Sequence, residues 1–143
     1  MSKRRVVVTG MGMLTPLGVD LDSSWQGLTA GKSGIAPIQS FDTTDYSVRF
    51  GGHVPEFDIA EYLPPKEARR MDGFMQFGLV AGIQAMRDSG LEVTDENRDR
   101  IGVAVGSGIG GIVTIETCHD VVNSRGPGKV SPFFVPSCII NMI

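Results

Sequence analysis

The residues Gly106-x-Gly108-x-x-Gly111 have the spacing of a phosphate-binding glycine motif. They follow a short apolar segment, residues 101–105, and precede a helical pattern, which is the context in which such a motif binds a dinucleotide. That function also requires an acidic residue at the end of a following strand, to bind the ribose, and the sequence has no such strand after the helix. The pattern favours glycines that permit close packing or line an apolar pocket. A dinucleotide site is the less favoured alternative.

Cys138 is a candidate nucleophile because it lies near a predicted helix N-terminus, where the helix dipole favours a thiolate. A cysteine nucleophile usually works with a histidine, and the two histidines, His53 and His119, are both distant from it in sequence. A buried structural cysteine is the favoured interpretation.

Four potential metal ligands lie close together in sequence. They are Glu116, Cys118, His119 and Asp120. Neighbouring positions on a helix point in different directions, so we expect these side chains not to share a metal ion. The sequence indicates no metal site and no cofactor.

Lys66, Arg69 and Arg70 form a basic cluster at the start of a predicted helix. Cations are unfavourable near a helix N-terminus, so the cluster suggests a docking surface for an acidic partner. The alternative is a solvated helix face without a partner, which composition alone would favour.

The elements that must position these residues follow from the apolar pattern. Residues 5–9 and 101–105 are short, apolar and rich in β-branched residues, as in strands covered on both faces. The pattern predicts helices from Asp22 or Ser23 to Gly31, over 66–89 closed by Gly90, over 94–98, from Gly110 or Gly111 to about Ser124, and after Pro136. Residues 41–57 are predicted as short strands or irregular loop. The order indicates an α/β chain with a mostly parallel sheet.

The predicted helix over 66–89 changes character along its length. Beyond Met71 apolar residues lie on nearly every face, as in a helix buried inside a large protein. Gly78 and Gly82 lie four residues apart, which would let another backbone approach closely.

Composition and the chain ends limit the function classes. Hydrophobic residues make up 41% and charged residues 20% of the 143 residues, and the net charge is −3. This balance gives no support for nucleic-acid binding, and no apolar run is long enough to span a membrane. Two cysteines and no secretory signal predict a cytoplasmic protein. Because the sequence stops inside an apolar stretch and two buried strands cannot form a sheet alone, we expect part of a larger domain that does not fold by itself.

Five stretches together resemble the β-ketoacyl-acyl carrier protein synthases, and most closely the synthase II branch. They are Arg4-Arg5-Val6-Val7-Val8-Thr9-Gly10-Met11-Gly12, Arg70-Met71-Asp72, Gln84-Ala85-Met86-Arg87-Asp88-Ser89-Gly90-Leu91, Gly106-Ser107-Gly108-Ile109-Gly110-Gly111 and Ser131-Pro132-Phe133-Phe134-Val135-Pro136. The resemblance runs along the whole chain in one register, which makes it more specific than any single glycine motif.

The resemblance implies a thiolase-like fold with α-β-α-β-α layers, of which residues 1–143 form an incomplete N-terminal part. It implies a homodimer that joins malonyl-acyl carrier protein to an enzyme-bound acyl chain, with loss of carbon dioxide and without a cofactor. A cysteine and two histidines carry out this chemistry in the family. None of the three is matched here, so the chain alone is expected to be inactive and to contain no catalytic residue.

The resemblance also places supporting residues. Gly108 and Ile109 match the acyl pocket, where Ile109 is the gating side chain, and Phe134 and Val135 match residues that reach across the dimer to line the partner's pocket. Lys66, Arg69, Arg70 and Lys129 match the basic surface that receives the acidic carrier protein. The alternative function is a non-catalytic thiolase-fold partner subunit of the chain-length-factor type.

Overall fold

The computed structural model describes residues 3–143, which form five α-helices and two β-strands. In chain order these are α1 (Leu21–Thr29), β1 (Ile35–Pro37), β2 (Phe50–Gly52), α2 (Pro65–Ala68), α3 (Gly73–Ser89), α4 (Ile112–Arg125) and α5 (Phe134–Cys138). Short 3₁₀ turns occupy Ile59–Glu61, Arg98–Arg100, Pro127–Lys129 and Ile140–Met142. No helix within residues 3–143 combines the length and the apolar character needed to cross a bilayer.

Two compact units divide the chain, and α3 contributes to both. The first unit comprises Met1–Phe57 and Ala81–Leu91, of which residues 3–57 and 81–91 are described. The second comprises Asp58–Val80 and Glu92–Ile143. The most deeply buried apolar side chains, Ala68, Met75 and Val80, all belong to the second unit.

In the first unit, the C-terminal half of α3 holds residues 10–13 along its side. The backbone N–H of Met11 donates to Asp88 at 2.8 Å, and that of Met13 donates to Gln84 at 3.1 Å. Gly12 lies so close to α3 that a Cβ there would collide with the carbonyl oxygen of Ala81. Backbone therefore packs directly on backbone, which only glycine permits at this position.

Helix α1 begins two or three residues earlier than the sequence predicts. Its N-cap is Asp20, whose carboxylate accepts from the backbone N–H of Ser23 at 2.7 Å. The predicted caps, Asp22 and Ser23, are wrong because both residues already lie inside the helix. The side-chain hydroxyl of Ser23 also donates to Asp20, so this residue supports the cap instead of providing it.

Replacing Asp20 by alanine should lower the free energy of unfolding by about 1 kcal/mol near neutral pH. The hydrogen bonds from the backbone and side chain of Ser23 hold the pKa of Asp20 below its ordinary value of 3.8. A lowered pKa contributes stability that is present above the unfolded-state pKa and is lost as the pH falls through the folded-state pKa. Urea unfolding should therefore show the difference between wild type and Asp20→Ala disappearing below about pH 4. Asp22→Ala is the matched control and should cost less; an Asp20→Ala effect independent of pH would contradict the cap.

The sheet within residues 3–143 is antiparallel and has two strands. Ile35 pairs with Gly52 and Pro37 with Phe50. The prediction of short strands or irregular loop over 41–57 is confirmed, since β2 occupies only Phe50–Gly52 and no other regular strand lies in that range.

The two predicted parallel strands, residues 5–9 and 101–105, are wrong as secondary structure. Both segments lack strand pairing, and their valines are largely exposed, with Val6 92% and Val103 85% accessible. An extended apolar segment becomes a buried strand only when neighbouring strands and helices cover both faces. The described residues supply no such neighbours to either segment, so a mostly parallel sheet is not formed within them.

The predicted continuous helix over 66–89 is interrupted at residues 69–72, which we call the link segment. Here α2 ends and the chain turns before α3 begins at Gly73. The side-chain amide of Gln76 donates to the carbonyl oxygen of Ala68 at 3.1 Å, which stabilises the turn. Closure of α3 by Gly90 is confirmed, with a positive φ of 63°.

Three smaller predictions are corrected. The helix expected over 94–98 is a turn followed by the 3₁₀ turn Arg98–Arg100, and α5 begins at Phe134, before Pro136. Proline is compatible with the first turn of a helix because its missing N–H would have no partner there. The close approach of another backbone predicted at Gly78 and Gly82 is wrong. The atoms nearest a Cβ at Gly78 belong to the side chain of Ile143, at 3.1 Å, and nothing lies within 4 Å of a Cβ at Gly82.

Candidate functional site

The link segment contains two exposed arginines and one buried aspartate. Arg69 and Arg70 face solvent, whereas Asp72 is only 8% exposed. A buried carboxylate needs hydrogen-bond donors, because leaving a charge unsatisfied in the interior is costly.

Asp72 finds its donors at the N-terminus of α4. One carboxylate oxygen accepts from the backbone N–H of Thr114 at 2.9 Å and from the Thr114 hydroxyl at 2.7 Å. The N-cap of α4 is Gly111, which has no side chain to serve as a cap. Asp72 therefore caps α4 from a distant part of the chain, and its negative charge suits the positive end of the helix dipole. Local sequence patterns do not reveal this role, because 42 residues separate the two partners.

Gly110 and Gly111 pack against the end of α5. The backbone N–H of Gly111 donates to the carbonyl oxygen of Cys138 at 3.1 Å. A Cβ at either glycine would collide with a carbonyl oxygen, that of Cys138 for Gly110 and that of Ser137 for Gly111. The prediction of close packing is confirmed for these two glycines, whereas a Cβ at Gly106 or Gly108 would meet nothing within 4 Å.

This arrangement argues against the dinucleotide alternative. A bound pyrophosphate would need the free backbone N–H groups at the start of α4. Cys138 takes the N–H of Gly111, and the carboxylate of Asp72 takes that of Thr114. The carboxylate of Asp72 thus already lies where a phosphate would bind at the start of α4.

Cys138 is the last residue of α5, not a residue near a helix N-terminus. Burial, followed by the neighbouring Cys118 and the charge of Asp72, raises the pKa of the Cys138 thiol. The helix end also disfavours a negative charge there. The predicted placement of Cys138 near a helix N-terminus is wrong, and the structure supports the favoured interpretation of Cys138 as a structural cysteine.

Two contacts connect Arg70 with the α5 region. The buried hydroxyl of Ser137 donates to the carbonyl oxygen of Arg70 at 2.8 Å. The guanidinium group of Arg70 lies over the ring of Phe133, 4.6 Å from its centroid. Arg70 therefore contributes to packing through both its backbone and its side chain.

A cleft of about 260 Å³ lies beside these contacts in the second unit. Its lining includes Arg69, Arg70, Val113, Thr117, Phe133 and Phe134. The lining thus combines two arginines with apolar side chains.

The four residues assigned to the acyl pocket are not gathered in this cleft. Phe134 lines it, but Gly108, Ile109 and Val135 do not. Ile109 is 71% and Val135 59% exposed, so both present apolar surface to solvent. Their assignment to a pocket stays a prediction.

The residues assigned to carrier-protein docking are accessible. Lys66, Arg69 and Arg70 are all exposed, and none of them forms an ion pair with another residue in the range 3–143. Lys129 is exposed at the end of the 3₁₀ turn Pro127–Lys129. Three of the four predicted cations thus lie together around α2 and the link segment.

The two histidines lie at the surface. His53 and His119 are exposed, and His119 lies 3.6 Å from the carboxylate of Asp120 on the same helix. Within residues 3–143, no three histidine, cysteine, aspartate or glutamate side chains are placed to hold a metal ion.

Comparison with known proteins identifies the family. Residues 3–143 match the family described as beta-ketoacyl synthase, N-terminal domain. Over 143 residues the chain is 62% identical to a 3-oxoacyl-[acyl-carrier-protein] synthase 2 of Vibrio cholerae and 59% identical to that of Vibrio harveyi. Each match includes 100% of this chain but only 34% of the length of the relative.

Solved structures agree with this result. A type II polyketide acyl-carrier protein in complex with its ketosynthase matches with a TM-score of 0.75 and 27% identity, over 96% of this chain and 37% of that one. A beta-ketoacyl synthase from Burkholderia phymatum matches with a TM-score of 0.76 and 26% identity, over 98% of this chain and 35% of that one. The predicted thiolase-like α/β fold is confirmed, and the chain belongs to the β-ketoacyl synthase family, within its N-terminal domain.

Proposed function

We propose that the protein is a β-ketoacyl-acyl carrier protein synthase that extends fatty acyl chains by decarboxylative Claisen condensation with malonyl-acyl carrier protein. The observation that carries this proposal is the 62% identity to a 3-oxoacyl-[acyl-carrier-protein] synthase 2 along the whole chain. The chain spans 34% of that relative, so it provides one part of the proposed enzyme.

The proposed reaction needs a thiolate to hold the acyl group and groups that assist loss of carbon dioxide. Cys138 is a poor candidate for the thiolate, because burial raises the pKa of its thiol. We therefore propose that residues 1–143 supply substrate-binding surfaces, and that the reacting groups belong to the rest of the protein.

The first of these surfaces is the proposed acyl pocket, formed by Gly108, Ile109, Phe134 and Val135. Ile109 and Val135 present apolar side chains to solvent, and burying such surface against an acyl chain is favourable by roughly 25 cal/mol per Å². Nothing within 4 Å would meet a Cβ at Gly108, so the turn around Ile109 has space beside it.

The second surface is the proposed docking patch, formed by Lys66, Arg69, Arg70 and Lys129. An acidic carrier protein complements exposed cations, which raise the association rate and fix the orientation of the complex. One structural relative is a ketosynthase in complex with an acyl-carrier protein. The sequence places only Glu67 among the clustered cations 66–70, so the patch is strongly positive.

The proposed enzyme is a cytoplasmic homodimer. Exposed apolar residues at and after α5, including Val135 at 59% and Met142 at 47% exposure, support an interface in this region. Two free cysteines suit a reducing compartment.

A condensation assay tests the function. Purified full-length protein is mixed with acyl- and malonyl-acyl carrier protein, and mass spectrometry follows the β-ketoacyl product. We expect product that requires the malonyl substrate. No product with any acyl chain length would contradict the proposal.

A non-catalytic partner subunit is the second candidate, because a ketosynthase/chain length factor structure also matches, with a TM-score of 0.74 and 27% identity. The same assay separates the two functions. A partner subunit would form product only after a catalytic subunit is added.

A further inference from the structure

We propose that Asp72 is a positioning residue that sets acyl-chain selectivity, by holding the start of α4 and the adjoining turn, residues 107–111, against α5. This inference rests on the proposed function, because it assigns a role to Asp72 in shaping the proposed acyl pocket. Asp72 itself is directed at Thr114, not at the pocket.

Ile109 is an exposed apolar side chain of the proposed pocket. This residue lies in the middle of the turn, and its side chain is 71% exposed. A Cβ at Gly106 or Gly108 would meet nothing within 4 Å, so there is open space on either side of Ser107 and next to Ile109. The hydrogen bond between Ser107 and Gly110 ties the first half of the turn to the second, so the position of Ile109 depends on where the second half is fixed.

The second half is fixed at three points. Within the turn, the Ser107 hydroxyl accepts from the backbone N–H of Gly110 at 3.1 Å. The N–H of Gly111 donates to Cys138, and the carboxylate of Asp72 receives two hydrogen bonds from Thr114 at the first turn of α4. Asp72 supplies the only one of these three anchors that carries a charge, and hydrogen bonds to charged groups are about twice as strong as neutral ones.

The same link segment also holds α5. The Ser137 hydroxyl donates to the carbonyl oxygen of Arg70 at 2.8 Å, two residues before Asp72. The link segment thus contacts both the helix that follows Ile109 and the helix that carries Phe134 and Val135. Loss of the Asp72 anchor should let these two groups of proposed pocket residues shift relative to each other.

The test compares kcat/KM for carrier-bound acyl chains of several lengths in the full-length protein. Asp72→Ala should reduce the ratio of kcat/KM between the best and the poorest chain length at least about fivefold. A misplacement of about 1 Å can cost up to about 10²-fold in rate, so a small shift of the pocket is enough for this effect. Asp72→Asn keeps an oxygen acceptor but loses the charge, so its ratio should lie between those of Asp72→Ala and the wild type. A purely structural role would lower the amount of active enzyme equally for all chain lengths.

Asp88→Ala is the matched control, because Asp88 also accepts a backbone hydrogen bond, from Met11 at 2.8 Å, but lies outside the proposed pocket. It should leave the ratio unchanged. If Asp72→Ala does not fold, Thr114→Val removes one of the two hydrogen bonds and should shift the ratio in the same direction.

The outcomes are distinct. The inference alone is overturned if the wild type is active and soluble Asp72→Ala keeps the wild-type ratio of kcat/KM between chain lengths. If Asp72→Ala does not fold, an unchanged ratio in Thr114→Val overturns it instead. An equal change in Asp88→Ala also overturns it, because lost stability would then explain the effect. A wild type that forms no β-ketoacyl product overturns the proposed function, and the inference with it.

Discussion

Replacing Gly111 by alanine should destabilise the protein by about 3 kcal/mol or more. The added Cβ would collide with the carbonyl oxygen of Ser137 and lie 2.9 Å from Cα of Cys138 and 3.2 Å from the carboxylate of Asp72. Two of these three neighbours are backbone atoms, which cannot move aside as a flexible side chain can. The φ of Gly111 is −81°, so the expected cost is steric and does not arise from backbone strain. Urea unfolding should show a lower midpoint with an unchanged slope.

Gly106→Ala is the matched control for this variant. A Cβ at Gly106 meets nothing within 4 Å, and its φ is compatible with alanine. Its unfolding midpoint should equal that of the wild type or exceed it slightly, because alanine reduces the entropy of the unfolded chain. A tolerated Gly111→Ala would mean that α4 and α5 are not packed as described.

Reversing two charges of the docking patch, Lys66→Glu with Arg69→Glu, should raise KM for carrier-bound substrates by roughly 10²-fold. Like charges placed opposite each other in an interface cost several kcal/mol, and each 1.4 kcal/mol corresponds to about a factor of ten. KM for small acyl thioesters, which lack the acidic protein, should change little. Arg70 is left unaltered because its guanidinium group also packs on Phe133, so its replacement would mix charge with packing.

The control reverses two exposed cations outside the patch, Lys32→Glu with Arg100→Glu. It produces the same change in net charge and should have a small effect on both substrate types. Added salt should weaken binding of the carrier protein to the wild type, since screening reduces interactions between exposed charges. The difference in KM for carrier-bound substrates between the wild type and the patch variant should therefore become smaller. Equal effects of the patch variant on carrier-bound and small substrates would argue against docking at this surface.

The helices were largely predictable because their signals are local. The apolar pattern and the glycines that follow α1 and α3 depend only on neighbouring residues. The break at the link segment was not predictable from the same pattern, because residues 66–89 remain compatible with a helix throughout. Contacts with Thr114 and Ser137, distant in sequence, accompany the break.

The strands could not be predicted from local sequence, because a strand depends on the residues that pair with it and cover it. Val6 and Val103 have the apolar, β-branched character of buried strands, but composition cannot state which residues will cover them. For the candidate site, the sequence pointed to the motif Arg70-Met71-Asp72 and to the packed glycines. It gave no sign that Asp72 acts on α4, because such a contact depends on how the chain folds back on itself.

The two aspartate caps differ in the stage of folding at which they can form. Asp20 bonds to a residue three positions away, so its cap can appear as soon as α1 nucleates. Asp72 reaches Thr114 only after a loop of 42 residues has closed, and the entropy of that closure must be overcome first. A contact made this late is absent from an early transition state, so we expect Asp72 to slow unfolding more than it speeds folding. The cap on α4 thus secures a structure that other contacts have already brought together.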